Sequence, residues 1–112
     1  MKPDFMATIT LYPTDRGRKH PVIGKWFGCP CKFDPSDHTA WDCRVLTNGE
    51  KFSPGETKNF GVVFLTPEAG QLFRVVSIFY LWEGWIIGEA KPISEKSNPQ
   101  NAGEGAGLNR EL

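Results

Sequence analysis

The chain has 112 residues with thirteen basic and thirteen acidic side chains, so its formal net charge is zero. This length suits one domain, and the 39% apolar content, with four Trp and eight Phe, is enough to fill a single core. The balanced charge argues against a strongly basic nucleic-acid binder and leaves room only for a local basic patch. No apolar run approaches the roughly 20 residues that a membrane-spanning helix needs, so we expect no membrane partner.

The three cysteines and the N-terminal sequence predict the cellular compartment. An odd number of cysteines does not suit a secreted disulfide framework. The first residues, "MKPDFMATITLYP", lack the apolar core of a signal peptide. We therefore expect a soluble cytoplasmic protein with reduced thiols.

Alternation of apolar and polar residues runs through most of the chain and is typical of half-buried strands. In the first strand, for instance, every second residue from Phe5 to Leu11 shares one face. Turn dipeptides such as Asn48-Gly49 and Pro54-Gly55 separate these segments. We predict six strands, over residues 5–11, 25–33, 40–46, 57–65, 72–84 and 85–93. No segment shows a convincing helical period, so the fold class is all-β, a small barrel or a sandwich.

The composition changes sharply after residue 93. The segment 94–112 is polar and rich in glycine, and its only large apolar residues are Leu108 and Leu112. It buries too little apolar surface to offset the entropy of ordering, so we predict a flexible polar tail. Its "GEGAG" stretch has neither the preceding strand nor the following helix of a phosphate-binding loop. We therefore expect no bound nucleotide.

The sequence "DRGRKH", residues 15–20, is the one basic cluster in the chain. Its glycine allows a close backbone approach, so the loop could hold an anion such as an RNA phosphate. An acidic residue in the same stretch and the neutral overall charge favour an ordinary solvated loop instead. The candidate binding residues of this loop are Arg16, Arg18, Lys19 and His20.

The sequence "YLWEGWIIG", residues 80–88, places two tryptophans around a Glu-Gly turn between strands. Aromatic side chains on such a turn either form a stacking platform for bases or a hot spot for a protein partner. The alternative is that one tryptophan closes the end of the core, since Trp is commonly only partly buried. The candidate residues here are Trp82, Glu83, Gly84 and Trp85.

The sequence "KWFGCPCKF", residues 25–33, holds two of the three cysteines. A zinc site could be assembled from Cys29, Cys31, His38 and Cys43, although one residue between paired ligands is fewer than zinc knuckles use. On a strand, the two sulfurs share a face with Phe27 and Phe33, which favours a core position, because free Cys behaves as a small hydrophobe. We therefore predict no metal and no cofactor.

Two further features of the sequence bear on catalysis and on the second strand. Both histidines, His20 and His38, lie in charged, loop-like stretches, and no spacing pairs either one with a nucleophile. Pro30 cannot donate a ladder hydrogen bond, so we expect a bulge or a strand edge there.

Three short motifs follow one another along the chain in a familiar order. The opening strand leads into Gly17-Arg18 and a proline, a Pro54-Gly55-Glu56 turn precedes a strand, and Glu83-Gly84 is followed by Ile87-Gly88. This order resembles that of the C-terminal β-barrel domain (domain 3) of the translation elongation factor Tu family, over about residues 5 to 93. The chain departs from that family at Trp82, where the family has Arg, and at "KWFGCP", where the family has a Tyr-Arg-Pro element.

The resemblance implies a closed six-stranded antiparallel Greek-key barrel without catalytic residues. We place this single domain at residues 1–93, before the polar tail. In the family this domain helps to hold the acceptor and T-stem side of aminoacyl-tRNA, and it contacts the GTPase domain and the exchange factor. The two departures lie near those contacts, so we favour a protein partner slightly over structured, tRNA-like RNA.

The leading hypothesis is therefore a stand-alone, non-enzymatic binding module that uses the 15–20 loop and the 82–85 turn. The alternative, from a different class, is a metal- or thiol-dependent protein that uses Cys29, Cys31 and Cys43. A small-molecule enzyme built around Glu83 ranks last. The sequence leaves the oligomeric state open.

Overall fold

The computed structural model describes residues 2–94 and contains six strands and one helix. The strands are β1 (Phe5–Leu11), β2 (Phe27–Lys32), β3 (Trp41–Leu46), β4 (Thr57–Phe64), β5 (Phe79–Trp82) and β6 (Ile86–Pro92), and the helix is α1 (Pro67–Arg74). The predicted tail lies outside the described residues except for Ser94. The helix is too short to span a membrane.

The six strands close into a barrel in the order β1-β4-β3-β2-β5-β6, and every neighbouring pair is antiparallel. Strands β2, β3 and β4 are sequential neighbours, while β5 returns to lie beside β2, which is a Greek-key connection. The predicted all-β, closed six-stranded Greek-key barrel is confirmed.

The inward faces of the strands form one core. In β1, Ala7 and Leu11 are fully buried, as the alternation in that strand predicted. The three cysteines face the same interior and are each at most 2% exposed. They are free thiols within the wall formed by β2 and β3, where Cys29 stands directly opposite Cys43. They therefore pack as small apolar side chains.

The prediction of a single long strand over 72–84 is wrong. Residues 67–74 form α1, and only Phe79–Trp82 of the predicted segment is a strand. A proline opens the helix, an acidic residue lies in its first turn and a basic residue in its last, which all favour a helix. The β-branched residues that suggested a strand, Val75 and Val76, follow the helix. The helix has only two turns, too few for its period to be clear in the sequence.

Helix α1 closes one end of the barrel through Phe73. This ring is fully buried and stacks on Phe33 and Phe64, with centroid separations of 3.9 and 4.5 Å. Asp4 ties the N-terminal segment to the same region. Its carboxylate accepts a bond from the Phe64 amide, and its carbonyl accepts one from the Arg74 guanidinium. The helix is therefore a plug that completes the core.

The opposite end of the barrel is formed by three connections, 12–26, 47–56 and 83–85, and we call it the loop end. An antiparallel bridge between Val22 and Phe52 closes it, with backbone bonds of 2.7 and 2.9 Å. The predicted turns lie here too: Asn48 and Gly49 have φ of 54° and 86°, and Gly55 has 89°. These left-handed angles suit Asn and Gly, which is why the turn dipeptides were recognisable.

Candidate binding site at the loop end

The two segments singled out in the sequence, the 15–20 loop and the 82–85 turn, lie against each other at the loop end. Arg18 Nε donates to Glu83 Oε1 at 3.1 Å, and Trp85 Nε1 donates to the Gly17 carbonyl at 3.3 Å. Arg18 and Glu83 are 65 residues apart in the sequence. The loop and the turn therefore form one surface, although they are distant in the chain.

The loop reaches the turn because its backbone folds back on itself directly after β1. The amides of Arg16 and Gly17 both donate to the Pro13 carbonyl, and the Tyr12 amide donates to Ile87 in β6. A Cβ atom at Gly17 would lie 2.9 Å from the Tyr12 oxygen and 3.0 Å from the Ile87 oxygen. Only glycine fits this close approach without displacing the loop.

The 82–85 turn presents its two tryptophans differently. Gly84 has φ of 84°, and the Glu83 amide donates to the Trp85 carbonyl at 2.9 Å. Trp82 is half-buried, and Lys32 Nζ lies 4.7 Å from the centre of its ring. Trp85 is 54% exposed, and within residues 2–94 no cation lies over its ring. Trp85 is therefore the tryptophan of this turn that is open to a partner.

The basic residues of the loop also divide into held and available side chains. Arg18 bonds Glu83, donates to the His20 carbonyl at 3.2 Å, and lies over the Phe27 ring. The Arg16 side chain is exposed, and its guanidinium lies 4.4 Å from the centre of the Tyr12 ring. Lys19 and His20 are exposed, and neither side chain has an ion pair among the described residues. Arg18 thus organises the site, whereas Arg16 and Lys19 face outward.

Two apolar residues of the same end were not among the predicted site residues. Ile23 is 73% exposed and Trp26 is 46% exposed, and Arg44 lies 4.3 Å from the centre of the Trp26 ring. Ile23 lies in a loop, where no periodicity marks a residue as outward-facing. In residues 25–33, the alternation that puts Phe27 and the cysteines on the core face puts Trp26 on the opposite face. We call Arg16, Lys19, His20, Ile23, Trp26 and Trp85 the loop-end surface.

Tyr12 connects this surface to β6. Its hydroxyl donates to Glu89 Oε1 at 2.9 Å. Partial burial and the bond to this carboxylate raise the pKa of Tyr12 to about 12. The phenol therefore stays a neutral donor throughout the physiological range.

A short seam between β2 and β5 lies directly below the site. The register pairs only Cys31 with Leu81 and Lys32 with Tyr80, so Phe27–Pro30 has no register partner on β5, where the Cys29 thiol donates to the Trp82 carbonyl at 3.5 Å. The expected strand edge at Pro30 is therefore present. Arg18 lies across the upper part of this seam, since it contacts both Phe27 and Glu83.

The thiols are poorly placed for chemistry. Burial raises the pKa of Cys29 to about 12 and raises that of Cys31 well above its usual value. A thiolate is the reactive and metal-binding form of cysteine, and burial here disfavours it. His38 is exposed in the connection between β2 and β3, and no group of three or more potential metal ligands occurs within residues 2–94. The three cysteines are therefore arranged as core residues.

No protein-family model matches the chain, and no curated protein matches it either. The resemblance to the elongation factor Tu family therefore stays a prediction.

Proposed function

We propose that the chain is a non-enzymatic binding module that holds a protein partner at its loop-end surface. The observation that carries this proposal is Trp85, a largely exposed indole fixed by its bond to Gly17 and by the adjacent Arg18–Glu83 ion pair. A rigid aromatic side chain loses little entropy on binding, and Trp, Tyr and Arg are the residue types that dominate interface energetics.

The aromatic residues favour a protein partner over RNA. Base stacking needs free ring faces, but Tyr12, Trp26, Phe27 and Trp82 each carry a cation of this chain against the ring. The charge of Arg18 is matched by Glu83. One open tryptophan suits an interface anchor better than a platform for successive bases.

Three further features support a role without catalysis. The two histidines are exposed in separate connections, the thiols are buried, and the Glu83 carboxylate is paired with Arg18. Covalent catalysis needs a nucleophile with a base within hydrogen-bond reach, and general acid–base catalysis needs a side chain positioned to exchange a proton with the substrate. The closed Greek-key barrel also agrees with the fold that the resemblance to the elongation factor Tu C-terminal domain implies.

The proposal is tested by affinity capture from a lysate of the source cells with the full chain and two variants. Trp85→Ala removes the anchor, and Leu72→Ala is the matched control, since Leu72 is 50% exposed on α1 at the other end of the barrel. We expect a protein that both wild type and Leu72→Ala capture but that Trp85→Ala loses by more than about tenfold, as for a hot spot.

Nuclease treatment of the lysate distinguishes the partner classes. Capture that survives nuclease supports a protein partner. Capture that disappears with nuclease, and that weakens steeply with salt, would establish RNA as the partner instead. Equal capture by wild type and Trp85→Ala would remove the loop-end surface from the proposal.

A further inference from the structure

We infer that the partner meets the loop-end surface through an acidic segment that carries an apolar anchor residue. This inference rests on the proposed function and specifies the chemistry of the partner. It is carried by the charges and exposed apolar side chains that the fold gathers at this end of the barrel.

The first observation is an excess of unmatched positive charge. Glu83, the acidic residue of the 83–85 turn, is paired with Arg18. Among the remaining charges of the 12–26 loop, Arg16, Lys19 and Lys25 stand against Asp15 alone. None of these three cations forms a salt bridge within the part of the chain that the structure describes. The loop therefore presents a net positive rim to a partner.

The second observation concerns the neighbouring connection at the same end. Its acidic residues, Glu50 and Glu56, both lie within salt-bridge distance of Lys58 Nζ, at 2.8 and 3.7 Å. Their charge is therefore partly neutralised where they stand. Lys51 and Lys58 balance these two glutamates, so this side of the loop end has no net formal charge and the attraction is directed to the 12–26 loop.

The third observation is that three exposed apolar side chains, Ile23, Trp26 and Trp85, coincide with this rim. Ile23 belongs to the same loop as the unmatched cations, and Trp85 bonds the loop at Gly17, two residues before Lys19. On the far wall, formed by β1 and β4, polar side chains bond each other beside the exposed Met6: Thr8 pairs with Asn59 and Thr10 with Thr57, both at 2.8 Å. Leu65, Leu72 and Val75 are also exposed, on or beside α1 at the other end. The loop end is distinguished because its exposed apolar residues coincide with unmatched cations.

The positive charges of the 12–26 loop and the exposed indole of Trp85 predict different kinetic effects. Rim charges act mainly on the association rate, because they steer an oppositely charged segment at long range. Burial of the indole acts mainly on the dissociation rate, because it operates only after contact. An acidic segment with a Leu or aromatic residue at its centre would gain both faster association, from the charges, and slower dissociation, from the contact with the indole.

The probe is a library of random-sequence peptides displayed on phage and selected against the immobilised full chain. We expect the selected peptides to be enriched in Asp and Glu on either side of an apolar residue. Enrichment of Lys and Arg, peptides without net charge, or no peptide above the background of the library would each overturn the inference.

Synthetic versions of the selected peptides are then measured against charge-reversal variants. We expect Lys19→Glu to slow association about tenfold at low salt, with a smaller effect at about 0.5 M salt, where screening is strong. The matched control, Lys91→Glu, reverses an exposed lysine opposite Thr8 in the β1–β6 pair and should leave association within about twofold. Equal effects of the two reversals would show that only net charge matters, and would contradict the inference.

The Trp85→Ala variant separates failure of the inference from failure of the proposed function. Peptides that need Trp85 but are not acidic would overturn the acidic segment and leave the binding module in place. Acidic peptides whose affinity is unchanged in Trp85→Ala would overturn the inference, because the anchor would not be used. The proposed function fails separately, when capture from the lysate does not depend on Trp85.

Discussion

Arg18 makes three contacts with three parts of the molecule: the Glu83 carboxylate, the His20 carbonyl and the Phe27 ring. The sequence marked it as a residue that would touch the partner, because a surface arginine beside glycine in a basic loop suggests anion binding. The contacts show that Arg18 joins the loop to the turn, and its contact with a partner stays a prediction. The joining role was beyond the reach of the sequence, because Glu83 enters the site from the other half of the chain.

At high pH, three side chains whose pKa the fold raises, Tyr12, Cys29 and Cys31, should reduce the stability of the barrel. The pKa of Cys29 is raised from 9.0 to about 12, mainly by burial, and that of Tyr12 from 10.0 to about 12. The unfolded chain therefore releases these protons first, and the free energy of unfolding should be fully retained below about pH 9 and fall as the pH rises towards 12. The contribution of Cys29 approaches about 1.4 kcal/mol per pH unit within that window.

Urea unfolding between pH 8 and 11 measures this effect. We expect a shallower decline in Cys29→Ala and in Tyr12→Phe than in wild type, because each variant lacks one of the protons concerned. Leu72→Ala, which changes an exposed and non-titrating residue, should follow the wild-type slope. Parallel curves for all four proteins would contradict the assignment of these two groups.

Helix α1 is the element that most affects the completeness of the core. Phe73 lies fully buried and stacked on Phe33 and Phe64. We expect Phe73→Ala to lower the free energy of unfolding by about 3–5 kcal/mol, because it leaves a cavity beneath the helix. Leu72→Ala, one position away and half exposed, should stay within about 0.5 kcal/mol of wild type. Urea titration of the two variants provides the measurement, and a loss below about 1 kcal/mol for Phe73→Ala would show that the helix is not a plug.

At the level of elements, the sequence predicted the barrel strands and turns better than the helix. Strand alternation and left-handed turn residues such as Asn48 and Gly49 are local signals, so they can be recognised without knowledge of the fold. The helix was missed because its stabilisation comes from the contact of Phe73 with rings on β4 and beyond β2. The sequence pointed to both the 15–20 loop and the 82–85 turn as candidate binding elements. Their contact with each other could not be predicted, because it depends on closure of the barrel. Ile23 carried no local signal at all.

For the molecule as a whole, the seam between β2 and β5 is the place where the wall is held by the fewest strand contacts. Only Cys31–Leu81 and Lys32–Tyr80 are paired across it, and Arg18 spans its upper part. We expect Arg18→Ala to raise amide hydrogen exchange in 27–32 and 79–82 about two- to fivefold, as loss of a partly exposed ion pair would. Exchange in β4, which pairs with β1 along most of its length, should not change.

Mass spectrometry of peptides covering these segments gives the measurement. Arg16→Ala is the matched control, because Arg16 belongs to the same loop but does not reach the seam. A uniform rise in exchange that includes β4 would mean that Arg18 contributes to global stability rather than to the closure of the seam.

The bonded threonines on the wall of β1 and β4 have a practical consequence. In the strand order of the barrel, this pair lies directly across from β2 and β5. Thr8 and Thr10 are bonded to side chains of β4. A fluorophore or a tether introduced through a cysteine at Thr8 would sit on the side of the barrel that faces away from the seam. Because the native thiols are all buried, such a cysteine would be the one that reacts under mild conditions.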